Sequence, residues 1–217
     1  MCKKIIAITG PSGSGKTTMT KLISKNYNIK VPEHVTTRKP RSDDEVGFYK
    51  YVSIDEFNGL IRERKFLIAS GEGTNFYGVL KQDCEDAWQL SNSIILNVSY
   101  KDLDQLKNLS CTYRIKVNLV VLTFKDIAKG VQSRLILSNR LSSDCDIKHR
   151  IDSALKDFEK YFTPVESFAS LIVYTETISE TETYDLIVEK LGLKQELTLS
   201  RGKPKSIAEF NLEKGEY

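Results

Sequence analysis

One eight-residue segment limits this chain more than any other: Gly10-Pro11-Ser12-Gly13-Ser14-Gly15-Lys16-Thr17. It stands between an apolar β-branched run, Lys4–Thr9, and a segment of helical periodicity, Lys16–Lys25. Glycines at this spacing let a backbone wrap closely around an anion with positive φ, and the helix that follows points its N-terminal N–H groups the same way. A lysine and a hydroxyl at the end of such a loop suit a phosphate chain and its metal ion. Lys16 is placed to reach β- and γ-phosphates, and the Thr17 hydroxyl to be a Mg²⁺ ligand. Gly10, Ser12, Gly13, Ser14, Gly15 and Thr18 complete the expected cradle. The segment implies bound ATP with Mg²⁺, on a turn between a buried strand and a helix.

The rest of the chain supports that context. Short apolar runs recur at Ser93–Val98, Val117–Thr123 and Ser170–Tyr174. Helix-like segments, Ile54–Lys65, Leu80–Leu90, Lys125–Leu137, Ile147–Phe162 and Thr183–Leu191, lie between or after them. Strands that are apolar on both faces, alternating with helices, predict an α/β fold of three layers with a mainly parallel central sheet. Residues 33–83 break this rhythm with Thr, Arg, Asp, Gly and Tyr, and are expected to form an inserted lobe. The core is expected over 1–32, 84–135 and 151–192, a small lid over 136–150, and a loosely docked tail over 193–217.

Several classes are disfavoured. No stretch approaches the ~20 apolar residues of a membrane span. Ile5-Ile6-Ala7-Ile8-Thr9 leads straight into the phosphate loop, so it reads as a strand and not as a secretion leader. Cys2, Cys84, Cys111 and Cys145 show no paired spacing, and with two histidines in the chain a metal cage is not expected. A net charge of +3 is too small and too scattered for nucleic-acid binding. A reducing cytoplasmic compartment and a monomer or homodimer are the expectation.

The lobe carries a second constellation. Arg38 and Arg41 are three apart in Val35-Thr36-Thr37-Arg38-Lys39-Pro40-Arg41, and planar guanidinium forks suit a phosphate dianion. Tyr49, and Tyr77 within Asn75-Phe76-Tyr77-Gly78, offer phenols to the same oxygens.

Together, Thr36–Arg41, Gly47–Ser53 and Asn75–Gly78 resemble guanylate kinase, in an order that covers residues 3–191. The resemblance implies a P-loop kinase fold, a monophosphate-binding lobe, and Arg38, Arg41, Tyr49 and Tyr77 as ligands of the acceptor phosphate. Further on, Gln132-Ser133-Arg134-Leu135, Arg140 and Lys148-His149-Arg150-Ile151 resemble that family's arginine-bearing lid. Arg134, Arg140 and Arg150 would then join Lys16 in neutralising the transferred phosphoryl group. The acceptor phosphate is already ionised near neutral pH, so no protein base is required and neither His34 nor His149 needs such a role.

The likeness stops at the base. Guanylate kinases carry Ser where this chain has His34, Glu where it has Ile68, Ser or Thr where it has Val79, and Asp-x-Asp where it has Asn97-Val98-Ser99. Isoleucine accepts no hydrogen bond, and each buried guanine donor left unpaired costs about 1–3 kcal/mol. Three acceptors stay open: a guanine nucleotide read by another carboxylate, Glu72 or Glu33; a nucleoside monophosphate with a different base; or ribose 1,5-bisphosphate, whose kinases this chain resembles at Ile68, Tyr77-Gly78-Val79 and Asn97-Val98-Ser99. A silent guanylate-kinase-like binding module is a fourth reading, which the intact phosphate loop opposes.

Overall fold

The structure, a computed structural model, describes residues 2–41, 44, 46–72, 74–137 and 144–193. It is a mixed α/β protein with two four-stranded sheets, ordered β6-β1-β7-β8 and β3-β2-β5-β4. The strands are β1 (Lys4–Thr9), β2 (His34–Thr36), β3 (Tyr49–Tyr51), β4 (Phe66–Glu72), β5 (Asn75–Leu80), β6 (Ser93–Asn97), β7 (Lys116–Thr123) and β8 (Leu171–Tyr174). The helices are α1 (Lys16–Tyr27), α2 (Ile54–Arg62), α3 (Lys81–Leu90), α4 (Leu103–Cys111), α5 (Ile127–Leu137), α6 (Asp144–Phe168) and α7 (Glu180–Leu191). None of them is long and apolar enough to cross a membrane. The chain divides into two compact units, residues 1–7 with 30–118 and residues 8–29 with 119–217, passing between them within β1 and β7.

In the first unit, the sequence expected one helix in the lobe and the structure adds four strands. β2 pairs with β3 in parallel and with β5 antiparallel, and β4 closes the sheet against β5. The edge at β4 is sealed by a side chain. Gln105 of α4 accepts from the Ala69 N–H at 3.0 Å and donates to the Ala69 carbonyl at 2.9 Å, as a neighbouring strand would. Ser53 and Glu56 form a capping box that starts α2. α2 buries Phe57, whose ring stacks on Phe66 at 4.5 Å. Helix α4 went unpredicted, although Leu103, Leu106 and Leu109 are all buried along one face.

In the second unit, β7 and β8 pair in parallel, with Val120 opposite Leu171 and Thr123 opposite Tyr174. Phe124, Ile127, Val131 and Leu135 form a buried cluster, and Ile147, Ile151, Ala154, Leu155 and Phe158 of α6 pack against it. Gly130 is required there, because a Cβ would lie 2.3 Å from the Phe124 ring. The sequence ended α6 at Phe162, before Pro164, whereas the helix runs on to Phe168. A proline inside a helix costs about 3 kcal/mol. Val165, 1% exposed, returns much of that through its burial, worth about 1.5–3 kcal/mol.

Candidate functional site

The phosphate loop is built in the second unit. Gly10, Gly13 and Gly15 hold φ of 146°, 80° and 92°, angles that side-chain-bearing residues rarely adopt. Two of them are also forced by close approach. A Cβ on Gly10 would sit 1.8 Å from the Leu122 carbonyl oxygen, and one on Gly13 would sit 2.5 Å from Cβ of Arg134. The Lys16 ammonium folds back over the loop and donates to the Gly10 and Pro11 carbonyls, both at 2.8 Å. The Ser14 hydroxyl is buried and makes no hydrogen bond among the described residues. A buried hydroxyl without a partner is costly and fits a loop built for a polar ligand. Thr17, exposed in the first turn of α1, keeps its hydroxyl accessible to a metal ion. These residues fit a triphosphate with Mg²⁺.

Arg134, a lid arginine by resemblance, stands on α5 against the phosphate loop. Its stem covers Gly13, and its Nη2 donates to the Thr175 carbonyl at 3.3 Å. Ser14, Gly15, Met19 and Arg134 line a small open cleft with Thr175, Ile178, Glu180 and Thr183. The last four come from the turn after β8 and the start of α7, and no motif had marked them. The one local signal was the capping box of Ser179 and Glu182, which fixes where α7 starts.

The first unit gathers the acceptor-lobe residues on one sheet face. Strand register puts Tyr49, His34, Val79 and Ile68 in one row across β3-β2-β5-β4. Tyr51, Thr36, Tyr77 and Ser70 form the next row two residues away, hence on the same face. The Arg38 guanidinium lies 5.0 Å from the centre of the Tyr49 ring and 5.8 Å from that of Tyr51. Its fork is already engaged: Nη1 and Nη2 donate to the two carboxylate oxygens of Asp44, each at 2.8 Å, and Nη1 also donates to the Lys39 carbonyl at 2.8 Å. The Tyr51 hydroxyl and the Arg41 backbone N–H donate to the same carboxylate. Burial pushes the Asp44 carboxyl up, but these hydrogen bonds, led by Arg38, hold it well below the usual carboxylate range. The Arg41 side chain is exposed beside this cluster. Asp44 had no mark in the sequence reading.

The row that faces an acceptor base in the resemblance offers no free acceptor. His34, Ile68 and Val79 are 4%, 3% and 2% exposed. His34 places Nδ1 3.1 Å from the Pro32 carbonyl and Nε2 3.0 Å from the Asn97 carbonyl, while its ring stacks on Phe48 at 5.3 Å. Both nitrogens thus face backbone carbonyls, and a neutral imidazole, with its single N–H, donates to one of them. Burial lowers the His34 pKa from its ordinary 6.5, and outweighs the two carbonyls, which raise it. The folded state thus binds fewer protons than the unfolded chain, so this contribution is present above about pH 6.5 and is lost as pH falls toward the folded value. Thermal melts between about pH 7.5 and 5 are expected to show stability dropping by up to ~1.4 kcal/mol per pH unit from this residue, a slope that His34→Gln removes. An unchanged slope would assign the loss to other groups.

The remaining expected residues divide as follows. Tyr77 of β5 and Tyr49 of β3 are half-buried. Glu33 is half-buried beside His34. Glu72 pairs through its backbone with Asn75, and its side chain lies outside the described residues. Arg150 is half-buried on α6. Arg140, with residues 138–143 of the expected lid, and the tail after Leu193 lie outside the described residues.

Comparison with known proteins bears on this geometry. Residues 2–181 match the family model described as guanylate kinase. A guanylate kinase of Fusobacterium nucleatum is 28% identical over 71% of this chain and 81% of its own length. One of Mycoplasma genitalium is 26% identical over 72% of this chain and 65% of its own length. Among solved structures, guanylate kinase from Anaplasma phagocytophilum matches with a TM-score of 0.62 and 21% identity, covering 91% of this chain and 88% of that one. At that identity the likeness concerns the fold.

Proposed function

The chain belongs to the guanylate kinase family, residues 2–181 matching its model, and on that premise we propose how its residues share the work. It is a nucleoside-monophosphate kinase that moves the γ-phosphoryl group of ATP to the phosphate of GMP or a close analogue. Ribose 1,5-bisphosphate is the less favoured acceptor, since the curated relatives are guanylate kinases. The observation that carries the reading is the positive-φ glycine loop with Lys16 folded over its carbonyls.

In this reading the backbone N–H groups of Gly13–Thr17 and the Lys16 ammonium grip the donor phosphates. Lys16 exchanges its two carbonyl contacts for phosphate oxygens, which are stronger partners because both sides are charged. Thr17 holds Mg²⁺, which, when bound, neutralises charge on the donor phosphates. Arg134, with Arg150 and Arg140, offsets the charge of the moving phosphoryl group. The cleft between Arg134 and Thr175–Thr183 takes the donor's nucleoside end. Arg38, Arg41, Tyr49 and Tyr77 hold the acceptor phosphate, whose oxygen attacks without a protein base. Positioning and electrostatics then supply the catalysis. A cytoplasmic location, and a monomer or homodimer, complete the proposal.

The base is read weakly. The row of His34, Val79 and Ile68 is apolar or turned toward backbone carbonyls, so guanine N1–H and N2–H₂ meet no acceptor from it. Apolar sites discriminate by about 10–200-fold, whereas sites that hydrogen-bond a polar group reach about 10⁴–10⁵. With ATP and Mg²⁺, kcat/KM for GMP over AMP is therefore expected to lie in the lower range. Ile68→Glu should raise that ratio at least about tenfold, by restoring a charged acceptor. A wild-type preference of about 10⁴ or more would show that another group, Glu72 or Glu33, reads the guanine.

A further inference from the structure

Asp44 is the point on which both acceptor arginines converge, yet it belongs to neither motif that marks the site. Its carboxylate meets the Arg38 guanidinium end-on with two bonds of 2.8 Å, and only 8% and 14% of the two side chains are exposed. The same carboxylate accepts the Arg41 N–H at 2.7 Å, while the Asp44 N–H donates back to the Arg41 carbonyl at 3.2 Å. One side chain thus fixes the fork of Arg38 and closes the turn from which Arg41 projects.

The geometry decides what remains available. A guanidinium carries five N–H donors in a plane. Asp44 and the Lys39 carbonyl take those at the Nη1 side and the end of the fork. The Nε–H and the second Nη2–H form the other edge, a parallel pair of the kind that suits two oxygens of one phosphate, and the Tyr49 and Tyr51 side chains also hydrogen-bond this guanidinium. The Tyr49 and Tyr51 rings close one flank of the guanidinium, so it cannot swing freely. Without a carboxylate here, a nearly buried cation would lack its partner whenever the lobe is empty, and would seek another geometry.

We propose that Asp44 is the positioning residue of the acceptor phosphate site, gripping the Arg38 fork end-on and fixing the turn that carries Arg41, so that the Arg38 fork is set before the acceptor arrives. This rests on the reading that the two arginines bind the acceptor phosphate. Pre-setting the donors removes the ordering that binding would otherwise require. The carboxylate is a permanent strut here and not a stand-in that the phosphate displaces.

Asp44→Asn tests it with the size of the side chain kept. The amide presents an N–H₂ to the Arg38 donors where an oxygen had been, so the fork loses its end-on grip. In steady-state assays on the full chain, the KM for GMP should rise about 10- to 100-fold, with kcat and the KM for ATP changing by no more than about twofold. Asp44→Glu, which keeps the charge on a longer stem, should recover most of that loss. Arg41→Ala serves as the separate check on the underlying reading, because it removes the fork and leaves the backbone bond to Asp44. If Arg41→Ala raises the GMP KM but Asp44→Asn does not, the positioning role is wrong and the acceptor site stands. If Asp44→Asn lowers the GMP KM, the carboxylate competes with the phosphate and the proposal is overturned. Parallel loss in kcat and both KM values, with no rescue by glutamate, overturns it equally, since that marks a purely structural strut. If Arg41→Ala leaves the GMP KM unchanged, the acceptor-site reading itself falls.

Discussion

Lys16→Ala is expected to lower kcat at saturating ATP and GMP by about 10³-fold, with little change in the melting temperature. The ammonium bridges the Gly10 and Pro11 carbonyls at the opening of the loop, which puts the cation where the donor phosphates must lie. Losing one preorganised donor aimed at developing charge costs about 2.7–4 kcal/mol, or roughly 10²–10³ in rate. Lys16 adds a full charge in a loop whose other donors are neutral N–H groups, so the upper end applies. The fold should tolerate the change. The positive φ of Gly10, Gly13 and Gly15 and the close approach of Leu122 and Arg134 hold the loop, and the lysine adds only its two bonds to the Gly10 and Pro11 carbonyls. Steady-state kinetics beside a thermal melt checks both halves. Turnover within tenfold of wild type would mean that the loop does not grip the donor.

The second large effect concerns the other substrate. Arg41→Ala should raise the KM for GMP about 10- to 100-fold and leave the KM for ATP within about twofold. A hydrogen bond to a charged group is worth about 1.5–3 kcal/mol, which converts to that range. Arg41 is the cleaner probe of the two arginines. Arg38 is buried against Asp44, so removing it would strand a carboxylate and confuse binding with stability. The Arg41 side chain is exposed, and its N–H bond to Asp44 belongs to the backbone and survives the substitution. Equal damage to both substrates would place Arg41 outside a dedicated acceptor site.

These two effects rest on parts of the chain that differ in how readily they are read. The phosphate loop was legible because its function dictates its sequence: close backbone approach demands glycine, and charge demands lysine. The strands beside it were legible because burial on both faces leaves an unbroken apolar run, as in Ile5–Ile8 and Leu119–Leu122, all at most 2% exposed. The lobe hid its sheet for the opposite reason. β2 and β3 are three residues each, too short to show a period, and only their pairing with each other and with β5 defines them. Arg38, Arg41, Tyr49 and Tyr77 stood out by their phosphate-binding chemistry and by a resemblance, and register puts the two tyrosines on one face. Asp44 was invisible because an aspartate in a run of charged residues reads as solvated. Its role emerges only when Arg38 and Tyr51 turn toward it in space. His34 offered a polar side chain to the acceptor on paper, yet both its nitrogens face the Pro32 and Asn97 carbonyls. α6 outran its proline because Val165 is buried, a tertiary gain that local propensity does not contain.

The central claim is that two phosphate-binding arrangements, one around Lys16 and one around Arg38 and Arg41, serve transfer from ATP to a nucleoside monophosphate. Incubating the purified chain with γ-labelled ATP, Mg²⁺ and GMP, and separating the nucleotides, tests it most directly. Label appearing in GDP, with one ADP formed for each GDP, is the predicted result. Label that stays in ATP with GMP and with every other nucleoside monophosphate, or that moves only to ribose 1,5-bisphosphate, would contradict it.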